Sequence, residues 1–321
     1  MAFSDVIIHS SFFCMFGIIT VIALIFETLN KSYKFYVTHF LDSSVDFAKF
    51  GKWAIVTGST DGIGKAIAHE LAKRRINIFL ISRNLEKLTK VAEEIERAYK
   101  VETKILVFDF TNFDHSPGSG DPYNVISEAI KDLDVGIMVN NVGMPTGGVD
   151  VFHKSQKPGE TLSKTISNLI HCNASSRVKM MELVLPSMIA RKIGLIINIS
   201  SMSAAFACPV LNTYAATKRF DDTLSVSLGQ EYRKHGVIIQ SIQPGFVQTN
   251  MTKPLGSSTN LIFPTATTYV HHMMKTIGKS DCTNGYWAHT ISLWLTMLIP
   301  EDIPARAMFK NFMKIGKRLK S

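Results

Sequence analysis

The chain of 321 residues has only four cysteines, and their spacing contains no C-x-x-C pair and no pattern of zinc ligands. The adjacent His271 and His272 would point apart on a helix, so they do not form a zinc site either. No metal site is therefore predicted, and a reducing compartment is expected. The four thiols are Cys14, Cys172, Cys208 and Cys282.

The sequence also lacks the features of a nucleic-acid-binding protein, although its formal net charge is +9. It has no zinc-finger spacing and no basic run interleaved with aromatic residues. The lysines are scattered, and the basic tail is typical of a cluster beside a membrane. A membrane surface is therefore a better explanation of the charge than nucleic acid. The tail residues are Lys310, Lys314, Lys317, Arg318 and Lys320.

No charged residue occurs from Val6 to Phe26. A helix of this length extends about 31 Å, which matches a hydrocarbon core of roughly 30 Å. The segment is predicted to be an uncleaved transmembrane anchor. A cleaved signal peptide and a buried core helix are the alternatives, but a signal peptide normally has a positive charge before its apolar run, and Asp5 is the only early charge here.

Four lysines follow this segment and none precedes it, which places the part of the chain after the segment in the cytosol. With 46% apolar residues, the rest of the chain is long enough for a single large α/β domain. No internal repeat is visible. The four lysines are Lys31, Lys34, Lys49 and Lys52.

Beyond Lys52, short apolar runs alternate with helical patterns, as in successive βαβ units. Two of the helices are predicted over Lys65 to Arg74 and Glu86 to Tyr99, and the Gly- and Pro-rich stretch Asn112 to Pro122 is predicted to be a surface loop. The expected fold is a Rossmann-like doubly wound parallel sheet in a single domain, preceded by the transmembrane helix. The predicted strands are Trp53 to Val56, Ile76 to Ile81, Lys104 to Phe108, Gly136 to Val139, Leu195 to Ile199 and Val237 to Ile242.

A glycine-rich turn from Thr57 to Gly64 lies between the first strand and the first helix of the sheet. In this position, backbone amides and the helix N-terminus can face a pyrophosphate. A tight turn without a ligand is the alternative. The residues expected to bind the cofactor are Gly58, Ser59, Asp61, Gly62, Ile63 and Gly64.

The residues after the next two strands indicate which dinucleotide binds. Arg83 stands where an acidic residue would hold the ribose 2′-hydroxyl of NAD, so it favours the 2′-phosphate of NADP. Alternatively, Arg83 is a solvated residue in an ordinary helix cap. Asp109 follows the third strand and could bond the adenine amino group, or it could cap the next turn.

Tyr214 and Lys218 are four residues apart, with Ser201 thirteen residues before the tyrosine. On a helix the lysine ammonium would lie beside the phenol. Bringing a tyrosine pKa from about 10 to about 7 needs roughly 4 kcal/mol. Lys218 and the positive nicotinamide of an oxidised cofactor are expected to lower the Tyr214 pKa in this way.

These motifs together resemble the short-chain dehydrogenase/reductase family over roughly residues 50 to 285. The motifs are the glycine-rich turn, NNVG at 140–143, Ser201, Y-x-x-x-K at 214–218 and PGFVQT at 244–249. NNVGM at 140–144, TNGYWAH at 283–289 and the apolar N-terminus are similar to its 17-beta-hydroxysteroid dehydrogenase type 3 and type 12 group. That group includes very-long-chain 3-oxoacyl-CoA reductases of the endoplasmic reticulum.

The resemblance implies a role for each matching residue. Tyr214 would protonate the carbonyl oxygen while NADPH delivers hydride, and Ser201 would polarise that oxygen. Lys218 would hold the ribose. Asn173, on a helix predicted from Thr161 to Met181, would bend that helix and hold a water that links the lysine to solvent. Asn141 would brace the sheet beside the adenosine, and the nicotinamide would be lined by Pro244, Gly245, Val247 and Thr249.

The resemblance also implies an NADPH-dependent reductase of a hydrophobic ketone, either a 3-oxoacyl-CoA or a 17-oxosteroid. A catalytically silent binding or scaffold protein is the alternative. The enzyme is expected in the endoplasmic reticulum membrane with its catalytic domain in the cytosol, although Leu319 stands where a dilysine retrieval signal needs lysine. Homodimers are common in the family.

Two features concern the substrate side, and the first is a departure from the pattern. Gly245 stands where the closer group often has an aromatic residue, which could widen the space beside the nicotinamide. Residues 286–299 are predicted to form an interfacial helix, with ordinary core or dimer contact as the alternative. The domain boundaries expected are an anchor at 1–30, a linker at 31–50, the catalytic domain at 51–285 and a C-terminal segment at 286–321.

Overall fold

The computed structural model describes residues 3–41, 45–112, 120–253 and 259–320, with side chains from Phe12 onward in the first helix. The chain divides into two units, Met1–Ser43 and Ser44–Ser321. Most of the loop expected at 112–122 lies outside the described residues.

The first unit is a single helix, α1 (Phe3–His39). Its portion Phe12–His39 is long and apolar enough to cross a membrane, and its most apolar stretch is not buried. The alternative of a buried core helix is therefore wrong for the described residues. The helix continues nine residues beyond the predicted anchor, into the segment expected to be a linker.

The second unit contains a seven-stranded parallel sheet in the order β3-β2-β1-β4-β5-β6-β7. All six predicted strands are confirmed, with each end within one residue of its prediction. The seventh was missed because it has only two residues and therefore no visible period. The strands are β1 (Trp53–Thr57), β2 (Asn77–Ser82), β3 (Thr103–Val107), β4 (Val135–Asn140), β5 (Gly194–Ile199), β6 (Val237–Ile242) and β7 (Cys282–Thr283).

The strand order reverses between β1 and β4, so loops after these two strands diverge and leave a crevice at the carboxyl edge of the sheet. Helices cover both faces. They are α2 (Gly62–Ala72), α3 (Leu85–Tyr99), α4 (Asn124–Ile130), α5 (Leu162–Ile170), α6 (Ser176–Arg191), α7 (Asn212–Tyr232), α8 (Ala266–Met274), α9 (Trp287–Met297) and α10 (Asp302–Lys320).

The core has two parts because the sheet is buried on both faces. Ala54 and Val56 of β1 pack with residues of α2, α3 and α8, whereas Ile55 between them packs with residues of α4 and α6. Successive side chains of a strand point to opposite faces, so central strands must be apolar at every position. This burial explains why the strands were readable as continuous apolar runs.

The helix predicted over Thr161 to Met181 is present but interrupted. A single π turn, His171–Ser175, separates α5 from α6, and the helix continues to Arg191.

The helix α9 buries His289 and Leu293, whereas its Leu295 and Met297 are each 59% exposed. One face of the predicted interfacial helix is thus core and the other is exposed.

Candidate active site

The glycine-rich turn requires glycine at particular positions. Gly58 and Gly62 have φ of +63° and +53°, in the left-handed region that favours glycine. A Cβ at Gly64 would lie 2.3 Å from both the Gly58 carbonyl oxygen and the Asn141 Nδ2. The turn therefore brings the N-terminus of α2 tightly against the end of β1.

Asn141 connects the loop after β4 to the glycine-rich turn. Its Nδ2 donates hydrogen bonds to the carbonyl oxygens of Thr57 and Gly58, each at 3.0 Å. The Thr57 hydroxyl in turn accepts from the backbone amides of Asn141 and Val142, also at 3.0 Å. These bonds join the loops after β1 and β4 where the strand order reverses.

The turn has the features of a dinucleotide cradle. Ser59 is fully buried, and its hydroxyl has no hydrogen-bond partner among the described residues. Asp61 precedes α2 without capping it through its side chain, and instead accepts from the Asn250 amide at 3.4 Å. The residues present therefore fit a pyrophosphate at this helix N-terminus, between the turn and the 244–250 loop.

Arg83 and Asp109 both lie exposed at the same edge of the sheet. Asn84 caps α3, because its side chain accepts from the Lys87 amide at 2.8 Å, so Arg83 is an exposed residue directly before an ordinary helix cap, as the alternative for Arg83 describes. Asp109 does cap a turn, because its Oδ1 accepts from the amide and the hydroxyl of Thr111 at 2.9 and 2.8 Å. The alternative weighed for Asp109 is thus present in the structure.

The structure brings Ser201, Tyr214 and Lys218 together after β5. Ser201 caps a short 3-10 turn, and its hydroxyl is 2.9 Å from the Ser203 hydroxyl. The Lys218 Nζ lies 5.8 Å from the centroid of the Tyr214 ring. The same Nζ donates to the Ile199 carbonyl oxygen at 2.8 Å, which fixes the ammonium at the end of the strand.

The expected lowering of the Tyr214 pKa does not occur in this structure. Burial raises the pKa of Tyr214, and a hydrogen bond with Ser201 and the charge of Arg177 oppose this increase only in part. Burial and the Arg177 charge also lower the pKa of Lys218 to about 8. Helical spacing indicates that the lysine is near the phenol but not how strongly burial disfavours both charged forms, and the lowering expected from an oxidised nicotinamide stays a prediction.

Asn173 lies in the π turn and is fully buried. Its Oδ1 accepts from the Met144 amide at 2.8 Å, and its Nδ2 donates to the Met144 carbonyl at 3.0 Å and to the Thr217 hydroxyl at 3.2 Å. The backbone oxygen of Asn173 accepts from Arg177 Nη1 at 2.6 Å. The bend expected at Asn173 is thus a π turn, and an arginine contacts the residue's carbonyl.

The loop after β6 does not have the open space expected at Gly245. A Cβ at Gly245 would lie 2.8 Å from the Met202 sulfur and 3.0 Å from the His289 ring. The buried His289 also accepts from the Gly245 amide through Nδ1 at 3.1 Å, and burial lowers its pKa to about 4. These two side chains fill the space that a larger residue would occupy.

The rest of this loop is arranged around the same turn. The Pro244 carbonyl accepts from the Met202 amide at 2.9 Å, and Val247 is buried. A Cβ at Gly62 would lie 2.7 Å from the Thr249 Cγ2, so this loop borders the glycine-rich turn. The sequence-predicted site residues of both loops therefore meet at one edge of the sheet.

Three buried residues of this region, Arg177, Asp221 and His289, were not among the predicted site residues. Arg177 lies one helical turn after Asn173, and Asp221 lies three residues after Lys218. This helical spacing could have indicated them. No comparable pattern relates His289 to Gly245.

Comparison with known proteins agrees with this geometry. The family model for short chain dehydrogenase matches residues 52–260. Very-long-chain 3-oxoacyl-CoA reductase-A of Danio rerio is 43% identical over 256 residues, which are 79% of this chain and 76% of that protein. The Homo sapiens inactive hydroxysteroid dehydrogenase-like protein 1 is 42% identical over 265 residues, 81% of this chain and 76% of that protein.

A solved structure from a study of 7beta-hydroxysteroid dehydrogenase stereoselectivity is also similar. It matches with a TM-score of 0.70 and 25% sequence identity, and the match covers 81% of this chain and 98% of that one. The likeness therefore includes nearly all of that protein and leaves a part of this chain without a counterpart.

Proposed function

This chain belongs to the short-chain dehydrogenase family, and from this premise we propose that it is a membrane-anchored, NADPH-dependent reductase of a hydrophobic ketone. The observation that carries the proposal is the meeting of Ser201, Tyr214 and Lys218 at the carboxyl edge of the sheet, beside the glycine-rich turn. A nicotinamide bound along this edge supplies the hydride.

The residues of the chain supply the proton and position the ketone and the cofactor. The raised pKa of Tyr214 keeps its phenol protonated at neutral pH, as a general acid in the reducing direction requires. The Ser201 hydroxyl, bonded to Tyr214, polarises the ketone oxygen. Lys218 holds the ribose and remains beside the phenol through its bond to Ile199.

The selection of NADPH is attributed to Arg83. Its exposed side chain follows β2, where the 2′-position of an adenosine ribose lies in this fold. A guanidinium can bind a phosphate through two parallel hydrogen bonds, and no acidic residue stands at this position to bind a 2′-hydroxyl. Asp109 is assigned to the adenine end of the same cradle.

An apolar substrate fits the loop beside Gly245. Phe246, Leu261 and Ile262 are each more than half exposed, at 52%, 58% and 54%. The same loop contacts the buried His289, whose Nε2 is 3.2 Å from the Ile262 carbonyl oxygen. Exposed apolar side chains around an active site favour a lipid-like ketone. A long-chain 3-oxoacyl-CoA is our first candidate, because the basic surface suits the CoA phosphates and a relative carries this name.

The location is proposed from α1. Its apolar portion Phe12–His39 fits a membrane span, and the excess of lysines after it favours the cytosolic side of the endoplasmic reticulum membrane for the catalytic unit. A substrate that partitions into lipid would then be available beside the enzyme.

A silent binding protein is the second candidate, because one 42% identical relative is named inactive. The presence of Ser201, Tyr214 and Lys218 in contact favours the enzyme. Oxidation of NADPH by the purified full chain in detergent, with a long-chain 3-oxoacyl-CoA and a 17-oxosteroid in parallel, tests both readings. Confirmed NADPH binding without turnover of either ketone would support the silent protein and refute the reductase.

A further inference from the structure

Arg177 and Asp221 form a buried ion pair directly against Lys218. Arg177 belongs to α6 and Asp221 to α7, and each is 1% exposed. The Arg177 Nε lies 2.9 Å from the Asp221 Oδ2, and the Lys218 Nζ lies 3.4 Å from the same oxygen. One carboxylate oxygen is thus shared by two cations from two helices.

The guanidinium extends the contact to the sheet and the π turn. Its Nη2 donates at 2.9 Å to the Ile199 carbonyl, which also accepts from Lys218. Its Nη1 donates to the carbonyl oxygens of Asn173 and Val142, at 2.6 and 3.1 Å. The pair therefore connects Lys218 to the end of β5, to the loop after β4 and to the π turn.

Stability does not explain this arrangement. Two buried charges lose their hydration, and such a pair is often no better than apolar side chains of similar size. The Asp221 Oδ1 also has no hydrogen-bond partner among the described residues. A costly charge cluster in contact with a lysine of the active site is expected to act on that lysine.

We propose that Arg177 and Asp221 are positioning residues, which hold the Lys218 ammonium on the Ile199 carbonyl and set how readily it loses its proton. The proposal rests on the proposed function, in which Lys218 holds the ribose and assists Tyr214. The two residues act in opposite directions, because Asp221 favours the charged form of Lys218 and Arg177 disfavours it.

The other titratable groups around Lys218 do not replace this pair. Cys172 faces it from the π turn, but burial raises the pKa of that thiol to about 11. Burial likewise raises the pKa of Tyr214 on α7. Asp222, next to Asp221, accepts from Ser241 and Gln243 at 2.5 and 2.6 Å.

The test compares Asp221→Asn with Arg177→Met in the full chain in detergent, without cofactor. Lys218 has a folded-state pKa of about 8, below the value of about 10.4 for an unfolded chain. Between these values the unfolded state keeps the Lys218 proton and the folded state loses it, so Lys218 contributes stability that increases with pH in this window. The thiols Cys172, Cys208 and Cys282, whose pKa values burial raises, contribute the opposite trend in wild type and variants alike. The lower edge of the Lys218 contribution is therefore located from the differences in melting temperature between each variant and wild type across the window.

Asp221→Asn should move that edge to lower pH and Arg177→Met to higher pH, each by on the order of one pH unit relative to wild type. Glu182→Gln, which removes an exposed charge from α6, is the control and should leave the edge in place. Shifts in the same direction, or no shift, in two folded variants would overturn the proposal.

NADPH affinity and turnover are then measured over the same pH range. Opposite shifts in melting and in NADPH affinity without turnover of any ketone would support the positioning role and refute the reductase. Normal ketone turnover in the variants, with no shift in the pH dependence of melting or of NADPH affinity, would support the reductase and refute the positioning role. If either single variant does not fold, the double variant tests the same point. If the double variant melts at the wild-type temperature and its kcat falls at least tenfold, the positioning role is supported. If its kcat is unchanged, the positioning role is refuted.

Discussion

Tyr214→Phe is the most direct test of the proposed chemistry. The change removes one hydroxyl from a partly buried ring and leaves the shape of the site intact. General acid catalysis by a positioned group contributes about 10²- to 10⁴-fold in rate, or about 2.7 to 5.4 kcal/mol in activation free energy. We therefore expect ketone reduction to fall by at least about a hundredfold.

The fold should tolerate this change. The Ser201 hydroxyl loses its bond to Tyr214 but keeps its contacts with the Ser203 amide and hydroxyl, at 3.2 and 2.9 Å. The cost in the free energy of unfolding should therefore be that of one hydrogen bond, about 1 kcal/mol. NADPH affinity should change by less than about threefold, because Lys218 remains on the Ile199 carbonyl.

The assay measures kcat and KM for NADPH oxidation with the ketone, and NADPH binding separately. Tyr232→Phe is the matched control, because it makes the same change on α7 about 27 Å farther along the helix axis. Reduction within tenfold of wild type in Tyr214→Phe, with the control normal, would refute the assignment of Tyr214 as the acid.

Three further changes test the cofactor cradle and the anchor. Arg83→Asp should weaken NADPH binding about 10- to 100-fold and NADH binding far less, because a charge-assisted bond to a phosphate is worth about 1.5–3 kcal/mol. Arg97→Asp is the control for the change of charge. Equal losses of NADPH and NADH affinity in Arg83→Asp would refute the 2′-phosphate explanation. Gly64→Ala should abolish NADPH binding, measured by titration, and should lower the melting temperature, because the new Cβ would lie 2.3 Å from the Gly58 carbonyl oxygen. Normal NADPH binding in this variant would contradict that close contact. Deleting residues 1–41 should move the protein from the membrane to the soluble fraction in sedimentation, whereas retention in the membrane would show that α1 is not the main anchor.

Much of the fold was predictable because its strands are buried on both faces. Ile78 to Ile81 is apolar at every position, since alternate side chains enter opposite parts of the core. The two-residue β7 and the short helix α4 were not predicted, because neither is long enough to show a period. The residues around Asn173 continue the helical pattern on both sides, so the bend there was implied by the resemblance alone and its form, a π turn, was not predicted.

From spacing alone, the candidate site was predictable only where residues are neighbours in sequence, and the resemblance supplied the rest. Tyr214 and Lys218 share a helix, so their approach follows from spacing alone. The filling of the space beside Gly245 by His289 depends on a contact across 44 positions. The expectation of a wider space was wrong because the sequence shows that Gly245 has no side chain, but it does not show that His289 fills the space instead.

The sequence by itself determined the parallel sheet, the glycine-rich turn, the apolar span of α1 and the proximity of the phenol to the ammonium. Each of these follows from a short-range pattern, namely strand burial, a positive φ, a run of apolar residues or one turn of helix. Only the tertiary structure decided the charge state of the site. The pKa of Tyr214 and of Lys218 depends on burial and on Arg177, which approaches from another helix. Electrostatic energies in a low-dielectric interior depend on distances between elements, and a linear sequence does not contain those distances.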